Sequence, residues 1–266
     1  MKISKHICAA LVVIFATSLA FSQKTFQPKQ PGDEWKGVIY RKETAVEVRM
    51  HTNGLLLFGV NIGEIRSYYK TNYYHMSLGF LKDPRERRQN KNRIRSFSSS
   101  RSFALGKQNS VFVLRGGMGT KKFISEKAKR KGIAIGYDYQ VGPAIALLKP
   151  YYLEIEVAEV DQTSLQSVRY TEENEEVFLD KTGAVFGGAS YFQGFSEMTV
   201  VPGIQGKLGL FFSLGAFDEK IKTFETGIMF DIYIRKLPIM VETPTVSNKP
   251  FFVNFYVNML FGSRRN

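Results

Sequence analysis

His75 and Ser77 are the pair in this chain whose types and spacing suggest covalent chemistry. A hydroxyl becomes a nucleophile when a nearby base takes its proton, and residues two apart on a strand share one face. Such a pair also needs a third group to orient the histidine, and no carboxylate is clearly placed for that task. Metal chemistry has less to work with. The lone cysteine, Cys8, excludes both a disulfide framework and a cysteine zinc site. No metal and no cofactor is expected.

Two prolines form a second constellation. Pro143 and Pro202 fall on neighbouring candidate strands, and pairing Leu147 near Thr199 would set Pro143 opposite about residue 203. Proline donates no hydrogen bond to a ladder, so two at one seam would leave a lateral gap wide enough to admit a lipid chain. The plainer alternative is a bulge at a strand end.

Charge gathers in two segments. Residues 82–107 hold nine basic side chains, Arg85, Arg87, Arg88, Lys91, Arg93 and Arg95 among them, against Asp83 and Glu86. Residues 154–180 hold nine acidic ones against Arg169. Arginine grips phosphate bidentately, so the basic segment suits lipopolysaccharide or a partner protein. The acidic segment can attract divalent cations but lacks EF-hand spacing. Solvation, or packing of the two segments on each other, is the simpler expectation. Residues 183–198 add Phe186, Tyr191, Phe192 and Phe195, which suit a membrane interface, a protein contact or a lid over a barrel mouth.

The elements that must carry these residues begin with an address. Lys2 and Lys5, an apolar run from Ile7 to Ala20, and Ala20-Phe21-Ser22 describe a secretory signal peptide over residues 1–22. Residues 23–43 read as a polar periplasmic lead-in. The 266 residues are 44% hydrophobic and 14% aromatic, with net charge +13, enough for one domain or two small ones. Mean hydropathy of −0.17 excludes a helical membrane bundle but not a β-barrel, whose polar interior offsets its apolar exterior. Nucleic-acid binding is set aside, because no nucleic-acid motif accompanies the basic charge.

Beyond residue 43 the chain alternates. From Ile133 to Leu147 the odd positions are apolar and the even ones small or polar, a period of two that defines a strand. The pattern returns at 200–216, 222–235 and 250–262, and more weakly at 44–52, 55–66, 71–82 and 110–122. Eight strands with long and short connections in turn predict an all-β, up-and-down antiparallel transmembrane β-barrel over 44–266, in the outer membrane of a Gram-negative bacterium. Asn53-Gly54 is a tight hairpin signal on the long-loop side. The inward face would hold Glu47, Arg49, His51, Asn61, Arg115, Asp138, Gln140, Lys207, Glu225, Asp231 and Arg235. Mixed charge at that density predicts a paired polar plug rather than a permeation path.

The run VFVLRGGMGTKKFISEKAKRKGIAIGY from Val111 to Tyr137, followed by LLKPYYL from Leu147 to Leu153, resembles a family of small exported Bacteroidota outer-membrane barrels. Lys82-Asp-Pro-Arg-Glu86 resembles a His-Pro-Lys-Glu element of that family, with Asp83 where the family has histidine. The resemblance spans roughly residues 70–155 and implies fold and location, with no catalytic residue to carry over. His75-Met76-Ser77 also resembles the His-x-Ser element of outer-membrane lipid A deacylases. The flanking residues differ, and the strand phase turns the pair inward. The leading expectation is a non-enzymatic accessory or interaction subunit of a secretion, gliding or barrel-assembly machine, in contact with lipid, lipopolysaccharide and other envelope proteins. A lipid A-modifying enzyme is the second expectation and a narrow solute channel the third.

Overall fold

The computed structural model describes residues 40–54, 56–89, 101–124, 133–158, 163–179, 185–214, 219–244 and 247–266. The signal-peptide segment and residues 23–39 lie outside the described residues. In chain order the strands are β1 (Lys42–His51), β2 (Leu57–Ser67), β3 (Lys70–Leu81), β4 (Arg88–Gln89), β5 (Phe103–Ala104), β6 (Asn109–Phe123), β7 (Ala134–Pro150), β8 (Tyr152–Ala158), β9 (Thr163–Arg169), β10 (Val185–Gly188), β11 (Thr199–Ser213), β12 (Lys220–Tyr233) and β13 (Phe251–Arg265). Eight of them close an antiparallel barrel in the order β1-β13-β12-β11-β7-β6-β3-β2. Each barrel strand pairs with its neighbours along the chain, and β13 returns to β1. The barrel starts at Lys42, so the last two residues of the expected lead-in belong to its first strand.

Alternation sorts the two faces. Along β13, Phe251, Val253, Phe255, Val257, Met259 and Phe261 point outward, while Phe252, Asn254, Tyr256, Asn258 and Leu260 are buried. The same holds on β11, where Leu208 is 61% exposed beside a buried Lys207. Exposed apolar side chains recur on all eight barrel strands, with Tyr74 at 70% and Val141 at 60%. Water-soluble monomers rarely present a contiguous apolar surface of that extent. Lipid makes it favourable.

The prolines do not open the seam between β7 and β11. β7 and β11 pair without interruption from Leu148–Thr199 to Ala134–Ser213, and Pro143 faces Ile204, one residue from the expected register. Ile234 N donates to Pro202 O at 3.2 Å, so the backbone groups of Pro202 face β12. Strand alternation then turns those of Pro143 toward β6, where the paired positions stop at Arg115–Ala144 and resume at Met118–Val141, which brings Gly116 level with Pro143. The missing donor would have bonded Gly116 O, and the Gln205 side chain supplies a substitute from the lumen, Nε2 to O at 3.2 Å. Gln205→Leu is expected to cost about 1–3 kcal/mol by stranding that carbonyl. Adding Pro143→Ala should recover part of it. Urea midpoints in lipid vesicles measure both, and an unchanged midpoint for the single variant would show that Gly116 O has another partner.

The connections alternate apart from the one at Asn53-Gly54, which is short on the long-loop side, as its hairpin signal predicted. The turn at 68–69 lies at the opposite end of the barrel from the long segments 82–108, 151–198 and 234–250. The long segments contain strands of their own. β8, β9 and β10 form a sheet in the order β10-β8-β9, and β4 pairs with β5. Phe103, Leu153, Phe178, Val185 and Val241 gather from all three segments into a small core. The basic and acidic segments therefore pack on each other through apolar residues.

Candidate functional site

The barrel interior is built in tiers. At the short-turn end Glu43 takes Lys121 at 3.0 Å and Arg264 at 3.2 Å. In the middle Glu47 is a hub: Arg49 donates to Oε1 at 2.9 Å, and Asn61 and Asn258 donate to Oε2 at 3.1 Å each. Lys207 bridges Asp138 at 2.6 Å and Glu225 at 2.8 Å, and Tyr73 donates to Asp138 at 2.8 Å. Nearer the loops Arg115 grips Asp231 through two bonds of 2.8 Å. The guanidinium of Arg49 lies 5.0 Å over the Tyr256 ring. Gly209 leaves the room that the Tyr256 hydroxyl occupies. Groups of opposite charge stand at hydrogen-bond distance, the geometry that offsets the cost of taking them out of water.

Glu47, Arg49, His51, Asn61, Arg115, Asp138, Gln140, Lys207, Glu225 and Asp231 are all buried inward. Arg235 is not among them. β12 ends at Tyr233, and Arg235 sits beyond the ladder in solvent. The alternation ran one pleat too far there, because the chain turns to bring Leu237, Ile239 and Met240 over the barrel mouth. Those three join Leu81, Val113, Ala144, Ala146, Val201 and Tyr233 in an apolar plug at the loop end. The plug went unread in the sequence, since isolated alanines and valines on an inward face look like spacers.

His75 and Ser77 face the lumen, and the sequence reading missed their partners. His75 Nε2 lies 2.9 Å from Ser77 Oγ, and Nδ1 lies 2.8 Å from Asn61 Oδ1 and 3.6 Å from Glu47 Oε1. A carboxylate does stand behind the histidine, three strands' worth of pairing having brought β1, β2 and β3 side by side. The constellation has the connectivity of a nucleophile, a base and an orienting group. It is also 3–4% exposed and lies deep among ion pairs. Its bonds serve the packing of the lumen.

On the loop side Arg85 is committed to Asp83, Nε to Oδ1 at 2.7 Å and a second nitrogen to Oδ2 at 2.8 Å. Burial opposes the Asp83 carboxylate, but the Arg85 bonds outweigh it and hold its pKa below the usual range. Arg87 and Arg88 are exposed. Lys91, Arg93 and Arg95 lie outside the described residues. The aromatic segment divides. Phe186 is 9% exposed under the loops, whereas Tyr191, Phe192 and Phe195 form an exposed cluster with ring centroids 5.8–6.3 Å apart. Lys149 anchors them from below, 4.7 Å from the Tyr191 ring and 4.8 Å from that of Phe195.

No family model and no curated protein matches the chain. Among solved structures, the crystal structure of the N-terminal β-barrel domain of Pseudomonas aeruginosa OprF aligns over 85% of this chain and 97% of that one, at 9% identity and a TM-score of 0.30. A similarity that low adds nothing to the barrel already established by strand pairing.

Proposed function

We propose that this chain is a non-conducting outer-membrane barrel of a Gram-negative bacterium, exported by its N-terminal segment, that works as an accessory or interaction subunit of a larger envelope assembly. The observation that carries the reading is the filled lumen. Paired charges occupy its middle and an apolar plug its loop end, so the barrel supports no solute path. What remains available for function is the outer wall and the folded loop cap. The wall suits membrane lipid, and the cap suits lipopolysaccharide or an envelope protein.

Purification from the native membrane in mild detergent, with mass spectrometry of co-purifying proteins, tests the subunit role. Stoichiometric recovery with a larger assembly is the expected result, and recovery alone would overturn it. Reconstitution into planar bilayers tests the closed lumen: no steady ion conductance is expected, and regular conductance steps would return the channel reading. The lipid A-modifying alternative keeps one favourable observation, the 2.9 Å His75–Ser77 contact. Identical lipid A mass profiles from cells carrying the natural chain and Ser77→Ala would remove it.

A further inference from the structure

The loop cap contains a cleft of about 380 Å³ between the basic segment and the residues after β10, within the range of about 300–1,000 Å³ typical of small-ligand sites. Its floor is an ion pair. Lys107 Nζ meets Glu86 Oε1 at 2.7 Å, with the side chains 8% and 2% exposed. Lys107 also lies 5.3 Å from the centre of the Tyr151 ring. Burial pulls this lysine's pKa below the ordinary value, while the Glu86 carboxylate opposes the shift. The second carboxylate oxygen, Glu86 Oε2, is buried and has no hydrogen-bond partner among the described residues. A buried carboxylate oxygen without a donor is costly unless something else supplies one.

The rim adds two further chemistries. Arg88 and Arg101 are exposed cleft residues with no acidic partner among the described residues. Their guanidinium forks match phosphate oxygens. Tyr191 and Phe192 supply aromatic surface, 56% and 79% exposed. Lys149 donates to the carbonyls of Tyr191 and Gln193 and so pins this turn in place. It also engages the Tyr191 ring, which leaves Phe192 as the free face. A carboxylate acceptor wanting a hydroxyl, guanidinium groups wanting an anion, and an apolar ring face together describe one ligand class. We propose that this cleft binds a phosphorylated sugar, its hydroxyl donating to Glu86, its phosphate held by Arg88 and Arg101, and its ring covered by Phe192.

Such a sugar can be free in solution or borne by an outer-leaflet glycolipid; only the second source rests on the membrane reading above. Isothermal titration of the full chain in detergent would use glucosamine 1-phosphate, glucosamine and inorganic phosphate as probes. The sugar phosphate is expected to bind at least about tenfold more tightly than either fragment. Arg88→Ala with Arg101→Ala should weaken it by about tenfold or more. Phe192→Ala should weaken the sugar phosphate and leave inorganic phosphate unchanged. Heat-dependent gel mobility verifies that each variant keeps its barrel. Equal affinity for inorganic phosphate and sugar phosphate overturns the site, as does unaltered binding in the double arginine variant. If the soluble probe does not bind, titration in nanodiscs with and without lipopolysaccharide decides: an arginine-dependent interaction there keeps the site and assigns the glycolipid, and its absence overturns the proposal. Failure to enter nanodiscs at all, with soluble binding intact, would count against the membrane reading alone.

Discussion

Asp231→Ala is expected to destabilise the folded barrel by about 3–5 kcal/mol, among the largest effects available to a single substitution in this chain. Asp231 and Arg115 are both fully buried and joined by two short bonds. Removing the carboxylate leaves a guanidinium in a low-dielectric interior without its counter-charge. Removing both charges is different, because an apolar pair of similar volume avoids the desolvation cost altogether. Arg115→Met with Asp231→Leu should therefore lie within about 1–2 kcal/mol of the natural chain. Reversible urea unfolding in lipid vesicles of the natural chain, Arg115→Met, Asp231→Leu and the double variant gives the coupling. Additive single effects would mean that the two side chains do not rely on each other.

Leu208→Arg separates lipid from water as the solvent of the outer wall. Leu208 is 61% exposed and pairs laterally with Tyr139 and Ile228, both exposed and apolar. In water a surface substitution of this kind changes stability by about 0.5 kcal/mol or less. At the midplane of a bilayer the same arginine costs about 2–4 kcal/mol. Unfolding in vesicles is expected to show the larger penalty, and the same substitution at Lys222, near the short-turn rim, almost none, since Lys222 is already an exposed cation. A penalty near zero at Leu208 would place this wall in water.

Much of the barrel was legible because a period of two repeats over long strands. Ile133 to Leu147 alone specified which side chains point inward, and the inward placement of Glu47, Arg49 and Lys207 followed from the same count. The pairing among them was not legible, because antiparallel neighbours from distant segments decide it. Glu47 stands behind His75 only once β1, β2 and β3 lie together. The prolines misled for a related reason. Counting residues gave their register to within one, but not which side of its strand each proline turns toward, and that side decides whether a gap forms. Arg235 failed where the ladder ran out of partners. The loop cap was least legible, since its core takes single residues such as Phe103, Leu153 and Val241 from three separate segments.

The seam between β1 and β13 sets an order of assembly. Asn258 reaches Glu47 across 211 residues of sequence, and Arg264 reaches Glu43 across 221. Until the last strand arrives, the first presents Glu43 without Arg264, Glu47 without Asn258 and Arg49 without the Tyr256 ring. An open sheet in hydrocarbon would also leave the backbone groups of both edge strands without hydrogen bonds. Insertion and closure must therefore proceed together, and a chain shortened by its final strand has no stable resting place in the bilayer. The ion pairs that fill the finished barrel thus also act as a check on completeness: only a whole chain can bring their last partners home.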